Sequence, residues 1–365
     1  MTPPSSKPRY NDRLTLVCVI LAVLCVPWNA HGDQDPAAQP VQQVGLTPFT
    51  IQGFGDVNYI TRAPEGESRG FVNGALDLFV TSALGDRWSA LVELVFESVQ
   101  GGFVTDLERF QFTYEHSDAL RISAGRVHNP LLRWPTIYHH GKFTHTPIDQ
   151  PIIARWEDEP GLWPMHFVGL LAHGRFGGQL GVNYSLGVGN GRGEILDEIT
   201  VTGDKNRQAA VVGVFGVNPS AFPGLALSIA GYADEIPAAE RLRERDVTAS
   251  ASYSRGDFEL RSEWSRMDHT AIATGQEYAT TGWYALVAYR LSERFGRVKP
   301  YLMVEALNVP EGALFLEDAV DEDNWTVGVR WDANRWMAFK ADFRSRHVEG
   351  SERFGAVRTQ IAVNF

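Results

Sequence analysis

The chain has 365 residues, with 33 lysines and arginines against 44 aspartates and glutamates, which gives a formal net charge of -11. That sign argues against non-specific nucleic-acid binding, which requires a basic surface. The two cysteines, Cys18 and Cys25, leave the rest of the chain without a disulfide framework, and a mean hydropathy of -0.18 excludes a bundle of membrane-spanning helices.

The N-terminus has the parts of a secretory signal. Basic residues precede an apolar run at 14–26, and small residues at Ala30 and Gly32 suit a cleavage site. The apolar run is too short to span a bilayer, although a retained N-terminal anchor is the alternative interpretation. We therefore predict a signal peptide at 1–32 and a polar leader at 33–47, ahead of the folded part of an exported protein.

From residue 48 to the end, apolar and polar residues alternate with a period of two. Phe110, Phe112 and Tyr114, for example, are separated by polar residues. Successive side chains of a β-strand point to opposite faces, so the pattern predicts strands with one apolar and one polar face. About sixteen such strands can be distinguished, and no segment shows a sustained helical period.

The connections between the predicted strands alternate in length. Short ones lie near 84–87 and 332–335, whereas the long polar ones include 100–108 and 127–165. Short turns at one rim and long loops at the other are typical of an outer-membrane barrel. A soluble sandwich would share the alternation, but the signal and the loop asymmetry favour an all-β, transmembrane antiparallel β-barrel of about 16 strands over 48–365, with a long third extracellular loop.

The last strand, Val357–Phe365, alternates up to a terminal phenylalanine. This ending resembles the C-terminal signature of bacterial outer-membrane barrels, and the resemblance implies that the barrel insertion machinery recognises Phe365. Gly53–Val57 looks like the first strand of many porins, and Gly125–Pro130 is like the Gly-Arg stretch that opens a constriction loop. In architecture, nearly the whole mature chain is similar to sixteen-stranded general porins and to the phosphate-selective porin superfamily. The resemblance implies an outer-membrane location, a passive channel and a homotrimer.

The connection 127–165 is the longest, and it is the third on the long-loop side. In the porins that the chain resembles, this loop folds into the lumen and narrows it. Three interpretations stay open: a constriction whose opposed charges sort solutes, a metal site, and a packed loop with solvated charges. The candidate constriction residues are Arg126, Arg133, Lys142, Asp149, Arg155, Glu157, Asp158 and Glu159, and the candidate metal ligands are His139, His140 and His145.

The polar face of the predicted strands carries a nearly balanced set of charges that would line the lumen. A pore dedicated to phosphate needs an excess of arginine and lysine, and this chain departs from that pattern. We therefore expect small hydrophilic solutes rather than phosphate alone. The wall residues chosen as candidates are Glu93, Glu97, Arg109, Arg121 and Arg344.

Motifs for enzyme chemistry are missing from the sequence. It holds no Gly-x-Ser-x-Gly elbow, no Walker loop and no HExxH pair. We therefore expect no enzyme activity and no cofactor. From the expected outer-membrane location, we also expect outer-membrane lipid and lipopolysaccharide as partners. Two alternatives remain: a plugged outer-membrane barrel that serves as an adhesin or scaffold, and an outer-membrane hydrolase.

Overall fold

The computed structural model describes residues 48–62, 69–99, 101–138, 141–156, 161–196, 200–206, 208–316 and 319–365. The predicted signal peptide and leader lie outside the described residues. No helix in the described ranges is long and apolar enough to cross a membrane. The strands are β1 Phe49–Ile60, β2 Gly70–Ala83, β3 Trp88–Val99, β4 Gly102–Ser117, β5 Leu120–His128, β6 His166–Arg175, β7 Val182–Asn190, β8 Ala210–Val217, β9 Leu225–Ile236, β10 Leu242–Arg255, β11 Phe258–Ala271, β12 Glu277–Tyr289, β13 Val298–Asn308, β14 Glu322–Asn334, β15 Met337–Val348 and β16 Phe354–Asn364.

These strands form one closed antiparallel barrel. Each strand pairs with its neighbour in sequence, and β1 pairs with β16 to close the sheet. At the seam the backbone of Gly53 exchanges two hydrogen bonds with that of Phe365, of 2.8 and 2.9 Å. Closure leaves no sheet edge without hydrogen-bond partners, which is what a hydrocarbon environment demands of a β-structure. The predicted all-β barrel of sixteen strands is confirmed.

The outer face of the barrel is apolar. Side chains such as Ile51, Phe215 and Val327 are about half exposed on it. Tryptophans on the same parity, including Trp264 and Trp325, are also exposed, as aromatic residues at a membrane interface would be. The alternate residues point inward, and many of them are charged and buried. The period-two pattern therefore separates a lipid-compatible face from an inner wall.

The connections differ between the two rims, which we name by their loops. The short-turn rim holds the connections 84–87, 118–119, 176–181, 218–224, 256–257, 290–297 and 335–336, and the long-loop rim holds 61–69, 100–101, 129–165, 191–209, 237–241, 272–276, 309–321 and 349–353. One predicted long connection, 100–108, is wrong. Residues 102–108 belong to β4, because Gly101 turns the chain with a φ of 96° and a bulge between Glu93 and Leu94 restores the pairing with β3.

The longest connection is residues 129–165; its described residues lie inside the barrel, and we call it the inner loop. It contains a short helix, α1 (Arg133–Tyr138), and a 3-10 turn, η1 (Ile152–Ala154). A second 3-10 turn, η2 (Glu293–Phe295), lies on the short-turn rim. The inner loop supplies about half of a hydrophobic core whose other half is the inner wall of the barrel.

Candidate functional site

The first part of the inner loop is fastened to β11. The backbone N–H groups of Arg133 and Trp134, at the start of α1, donate to the carboxylate of Glu263 at 2.6 and 2.8 Å. The first N–H groups of a helix have no partner within the helix, so a carboxylate at this point satisfies two of them. The hydroxyl of Tyr284 on β12 donates to the same carboxylate at 2.8 Å. Glu263 is thus a buried anchor for the loop.

The middle of the inner loop extends toward the short-turn rim. There, basic side chains of the wall donate hydrogen bonds to its backbone carbonyl groups. Lys340 Nζ on β15 donates to the carbonyl oxygens of Lys142, at 2.5 Å, and Pro147, at 2.8 Å. Arg330 on β14 donates to the carbonyl oxygen of His145 at 2.6 Å. These contacts use charged donors, which form stronger hydrogen bonds than neutral ones.

The next part of the loop is held by ion pairs. Asp149 accepts a hydrogen bond from Arg344 on β15 at 3.2 Å and another from Arg358 on β16. Three residues later, the backbone N–H of Ile152 donates to Glu305 on β13 at 2.7 Å. The loop is therefore attached to the wall along the arc from β11 to β16.

The end of the loop rises toward the long-loop rim. Arg155 forms a bidentate contact with Glu322, at 2.8 and 3.1 Å, where β14 begins. Arg346 on β15 donates to the same carboxylate at 3.0 and 3.2 Å. Two arginines therefore share one glutamate, so that the loop, β14 and β15 meet at a single carboxylate.

Charges on the loop are matched to those of the wall. Burial raises the pKa of Asp149, but Arg358 and Arg344 outweigh burial and hold that pKa below its usual range. Burial likewise opposes protonation of Arg155, but the pKa of Arg155 is raised because Glu322 lies against it. Both residues therefore stay charged at neutral pH, and both form ion pairs that attach the loop to the wall.

His145 has the opposite environment. Its ring packs against Trp134 and Tyr138, with ring centroids 5.4 and 5.8 Å apart, and it is 1% exposed. Burial, followed by repulsion from Lys340, lowers the pKa of His145 well below its usual value. The ring is therefore uncharged at neutral pH.

An apolar contact holds the other side of the inner loop. Trp163 and Ile153 are almost completely buried in a core that includes Leu286 on β12 and Met303 on β13. Gly282 on β12 makes room for them, because a Cβ at this position would lie 2.3 Å from Ile153 and 3.0 Å from Trp163. The inner wall is thus largely apolar along β12 and β13, apart from Glu305, where we expected a polar lumen face.

Some predicted wall residues meet near the start of the loop. Glu93 and Arg109 form a buried ion pair across β3 and β4. Arg126 Nε donates to the carbonyl oxygen of Glu108 at 2.7 Å. The structure therefore brings these charges together as pairs on one arc of the wall.

Other predicted residues lie apart from that arc. Arg121 lies near the short-turn rim, 3.0 Å from Glu115, and Lys142 donates to Gln150 within the loop at 2.6 Å. Glu97 is half-buried on β3. The remaining candidates lie outside the described residues; they are His139, His140, Glu157, Asp158 and Glu159.

No group of three or more histidine, cysteine, aspartate or glutamate side chains in the described part of the chain is placed to hold a metal ion. The metal site at His139, His140 and His145 stays a prediction.

Several residues that position the loop were not selected from sequence. Arg192, in the connection after β7, is 3% exposed and pairs with Glu244 at 2.9 Å. Its guanidinium also donates to the carbonyl oxygen of Leu162 in the inner loop. In the sequence, Glu322 belongs to an acidic run that resembles a solvated loop. The spacing of residues around Arg192 and Glu322 does not indicate that these two side chains are buried.

No protein-family model matches the chain, and no curated protein matches it in sequence. Solved structures match it in fold. An anion-selective porin from Comamonas acidovorans aligns with a TM-score of 0.61 at 14% identity, over 87% of this chain and 100% of that one. The outer membrane channel DcaP of Acinetobacter baumannii aligns with a TM-score of 0.61 at 12% identity, over 87% and 97%. The trimer form of OmpT, an outer membrane protein of Vibrio cholerae, aligns with a TM-score of 0.57 at 10% identity, over 87% and 99%. The chain therefore shares the fold of sixteen-stranded outer-membrane porins.

Proposed function

We propose that this chain is an outer-membrane porin, a passive channel for small polar or charged solutes in which the loop 127–165 forms the constriction. One observation carries the proposal: wall side chains fasten the inner loop within a closed barrel at several heights. A loop fixed in this way sets the size limit of any path beside it. The names of the matched structures, a porin and an outer membrane channel, support the same function.

The charges at the edge of the loop would set solute preference. Asp149 lies between Arg344 and Arg358, and its side chain is 37% exposed, so that carboxylate borders on water. Because both signs lie together, we expect a channel that admits cations and anions with a modest preference. This agrees with the balanced wall charges and disfavours a pore dedicated to phosphate.

Export and assembly would depend on the two ends of the chain. A signal peptide at 1–32 would be removed, and the terminal Phe365 would direct insertion into a membrane that contains lipopolysaccharide. The ring of Phe365 is 59% exposed and covers Gly53, where a Cβ would lie 2.4 Å from it. A homotrimer is part of the proposal and draws support from the OmpT trimer. We propose no enzyme activity.

A second function has an observation in its favour. The inner loop and the wall bury a continuous apolar core inside the barrel, which is how a plug would be held. A barrel closed by this plug would act as an adhesin or scaffold. The two functions differ in one property, the passage of ions.

The test is single-channel recording of the refolded mature chain in a planar bilayer under a salt gradient. The channel function predicts stable current steps and a small reversal potential. Folding is checked separately by heat-modifiable migration on a gel. A folded barrel that gives no steps in neutral lipid would favour the plugged scaffold.

A further inference from the structure

A cavity of about 590 Å³ lies at the short-turn rim, on the far side of the inner loop. Its walls come from the connection that holds η2, from the end of β14 and from Phe143 of the loop. The cavity therefore lies between Phe143 of the inner loop and the short-turn rim. A solute that passes the inner loop on this side would meet it before leaving the barrel.

The lining of the cavity is cationic in a chain whose net charge is negative. Four arginines contribute to it against two carboxylates, Glu293 and Asp332. Asp332 is committed to two of the arginines, since Arg330 donates to it at 2.7 Å and Arg290 at 3.0 Å. The lining therefore carries two positive charges in excess, and two of its arginines are not bound to Asp332.

Those two arginines are Arg297 and Arg335. Both are exposed, and within the described ranges neither lies within salt-bridge distance of a carboxylate. Arg335 is oriented by its neighbour, with the guanidinium carbon 4.4 Å from the ring centre of Trp336. Their guanidinium groups are therefore available for a ligand from solution.

The backbone at Arg297 is strained. Its φ is 58°, directly after Gly296 with a φ of 72°. A residue with a side chain pays about 1–2 kcal/mol for the left-handed conformation, which Gly or Asn adopts at much lower cost. A strained arginine at the lip of a cationic cavity is a pattern associated with ligand sites.

The cavity also offers an apolar surface. Phe143 lies at its inner end, and the guanidinium carbon of Arg330 is 5.2 Å from the Phe143 ring centre. Arginine recognises carboxylate and phosphate oxygens through paired N–H donors, and an aromatic ring favours a flat apolar body. The combination suits a small organic anion better than a bare inorganic one.

We propose that this cavity is a binding site for small organic anions, carboxylates or phosphate esters, held by Arg297 and Arg335 with Phe143 against the apolar part of the ligand. The proposed role in permeation rests on the proposed channel function. Binding itself does not, because it requires only the folded barrel.

The test is calorimetric titration of the refolded chain in a neutral detergent at low ionic strength, with benzoate as the probe and benzamide as its uncharged counterpart. We expect benzoate to bind and benzamide to bind more weakly. The double variant Arg297→Gln/Arg335→Gln should weaken benzoate binding about fivefold, as expected for two exposed charges. Arg255→Gln, an exposed arginine of the same rim outside the cavity lining, is the matched control and should leave binding unchanged.

Equal binding of benzamide, or equal weakening by Arg255→Gln, would overturn the proposal. A second source of the same anionic chemistry is a lipid headgroup. If phosphatidylglycerol added to the micelles binds at the arginines while benzoate does not, the site belongs to lipid and the solute proposal is wrong. Folding of each variant is checked by heat-modifiable migration.

A bilayer measurement separates this proposal from the channel function. In a salt gradient across neutral lipid, the double variant should shift the reversal potential toward cations, and Arg255→Gln should shift it less. Benzoate binding without conductance would refute the channel and keep the site. Conductance without benzoate binding would refute the anion site and leave the channel function standing.

Discussion

The inner loop is held by two walls of different chemistry. Along β12 and β13 it packs through Trp163 against Leu286 and similar side chains. Along β15 and β16 it is held by Lys340 and Arg358 through charge. Apolar packing depends on area and shape and responds little to salt, whereas charged contacts are directional and weaken where water reaches them. We therefore expect the apolar wall to contribute most to the stability of the loop and, on the proposed channel function, the charged wall to border the path of the solutes.

The apolar wall should give the largest effect on stability. Replacing Trp163 by alanine removes a side chain that is 0% exposed and leaves a cavity, so we expect the free energy of unfolding to fall by about 3–5 kcal/mol. Urea titration of the refolded barrel measures it. The control is Phe222→Ala, a 64% exposed residue of a short turn, which should change stability by about 0.5 kcal/mol or less. Equal losses in both variants would mean that the loop does not pack on this wall.

A polar anchor within the same region comes next. Glu263→Ala leaves the N–H groups of Arg133 and Trp134 and the hydroxyl of Tyr284 without their acceptor, at a cost of about 2–3 kcal/mol. Trypsin should then cleave after Arg133 faster than in the unmodified chain. Glu263→Gln keeps one acceptor oxygen, so its rate of cleavage after Arg133 should lie between that of the unmodified chain and that of Glu263→Ala. An unchanged cleavage rate in the alanine variant would contradict the anchoring role.

The boundary between the walls contains a pH-sensitive group. The pKa of His145 is lowered in the folded chain, so the unfolded chain binds the proton first as pH falls below the usual value near 6.5. Stability due to the neutral ring is therefore present at high pH and is lost on acidification. Between pH 7.5 and 5.5 we expect the free energy of unfolding to fall by about 1 kcal/mol from this group. The variant His145→Asn should lose this decrease in the free energy of unfolding. The control variant His116→Asn, which changes an exposed residue, should keep it.

The charged wall should give the smallest effect on stability and a visible one on selectivity. Asp149→Asn leaves Arg344 and Arg358 without their shared carboxylate next to water. The ratio of anion to cation permeability should rise roughly twofold, the scale of a partly exposed ion pair. Reversal potentials in a salt gradient measure this ratio. An unchanged ratio would place Asp149 away from the path.

The architecture was predictable because it depends on local periodicity. The alternation around Trp325 and Trp331 places both side chains on one face, and the structure exposes both on the outside. The prediction was wrong at 100–108, because Phe103 and Val104 break the alternation with two adjacent apolar residues. That segment nevertheless pairs with β3, which shows that strand pairing can extend past the pattern.

The details of the site were much less predictable. Asp149 meets Arg344 and Arg358, which lie about two hundred positions away in the sequence, and no spacing connects them. The inward fold of the loop came from the resemblance rather than from the residues. The sequence of β12 did not reveal that its inward side chains are apolar. An inner face that a loop covers and an outer face that lipid covers are both lined by apolar residues, so the sequence pattern does not distinguish them.

The proposed channel function depends most on the inner loop, which would limit the passage of solutes. The direct measurement is the single-channel conductance of Glu263→Ala/Glu305→Ala, which removes the acceptors of α1 and of Ile152, compared with the unmodified chain. Loop release is verified by trypsin cleavage after Arg133, and barrel integrity by heat-modifiable migration. We predict larger current steps in the variant. Unchanged steps from a folded barrel with a cleavable loop would contradict this role of the inner loop.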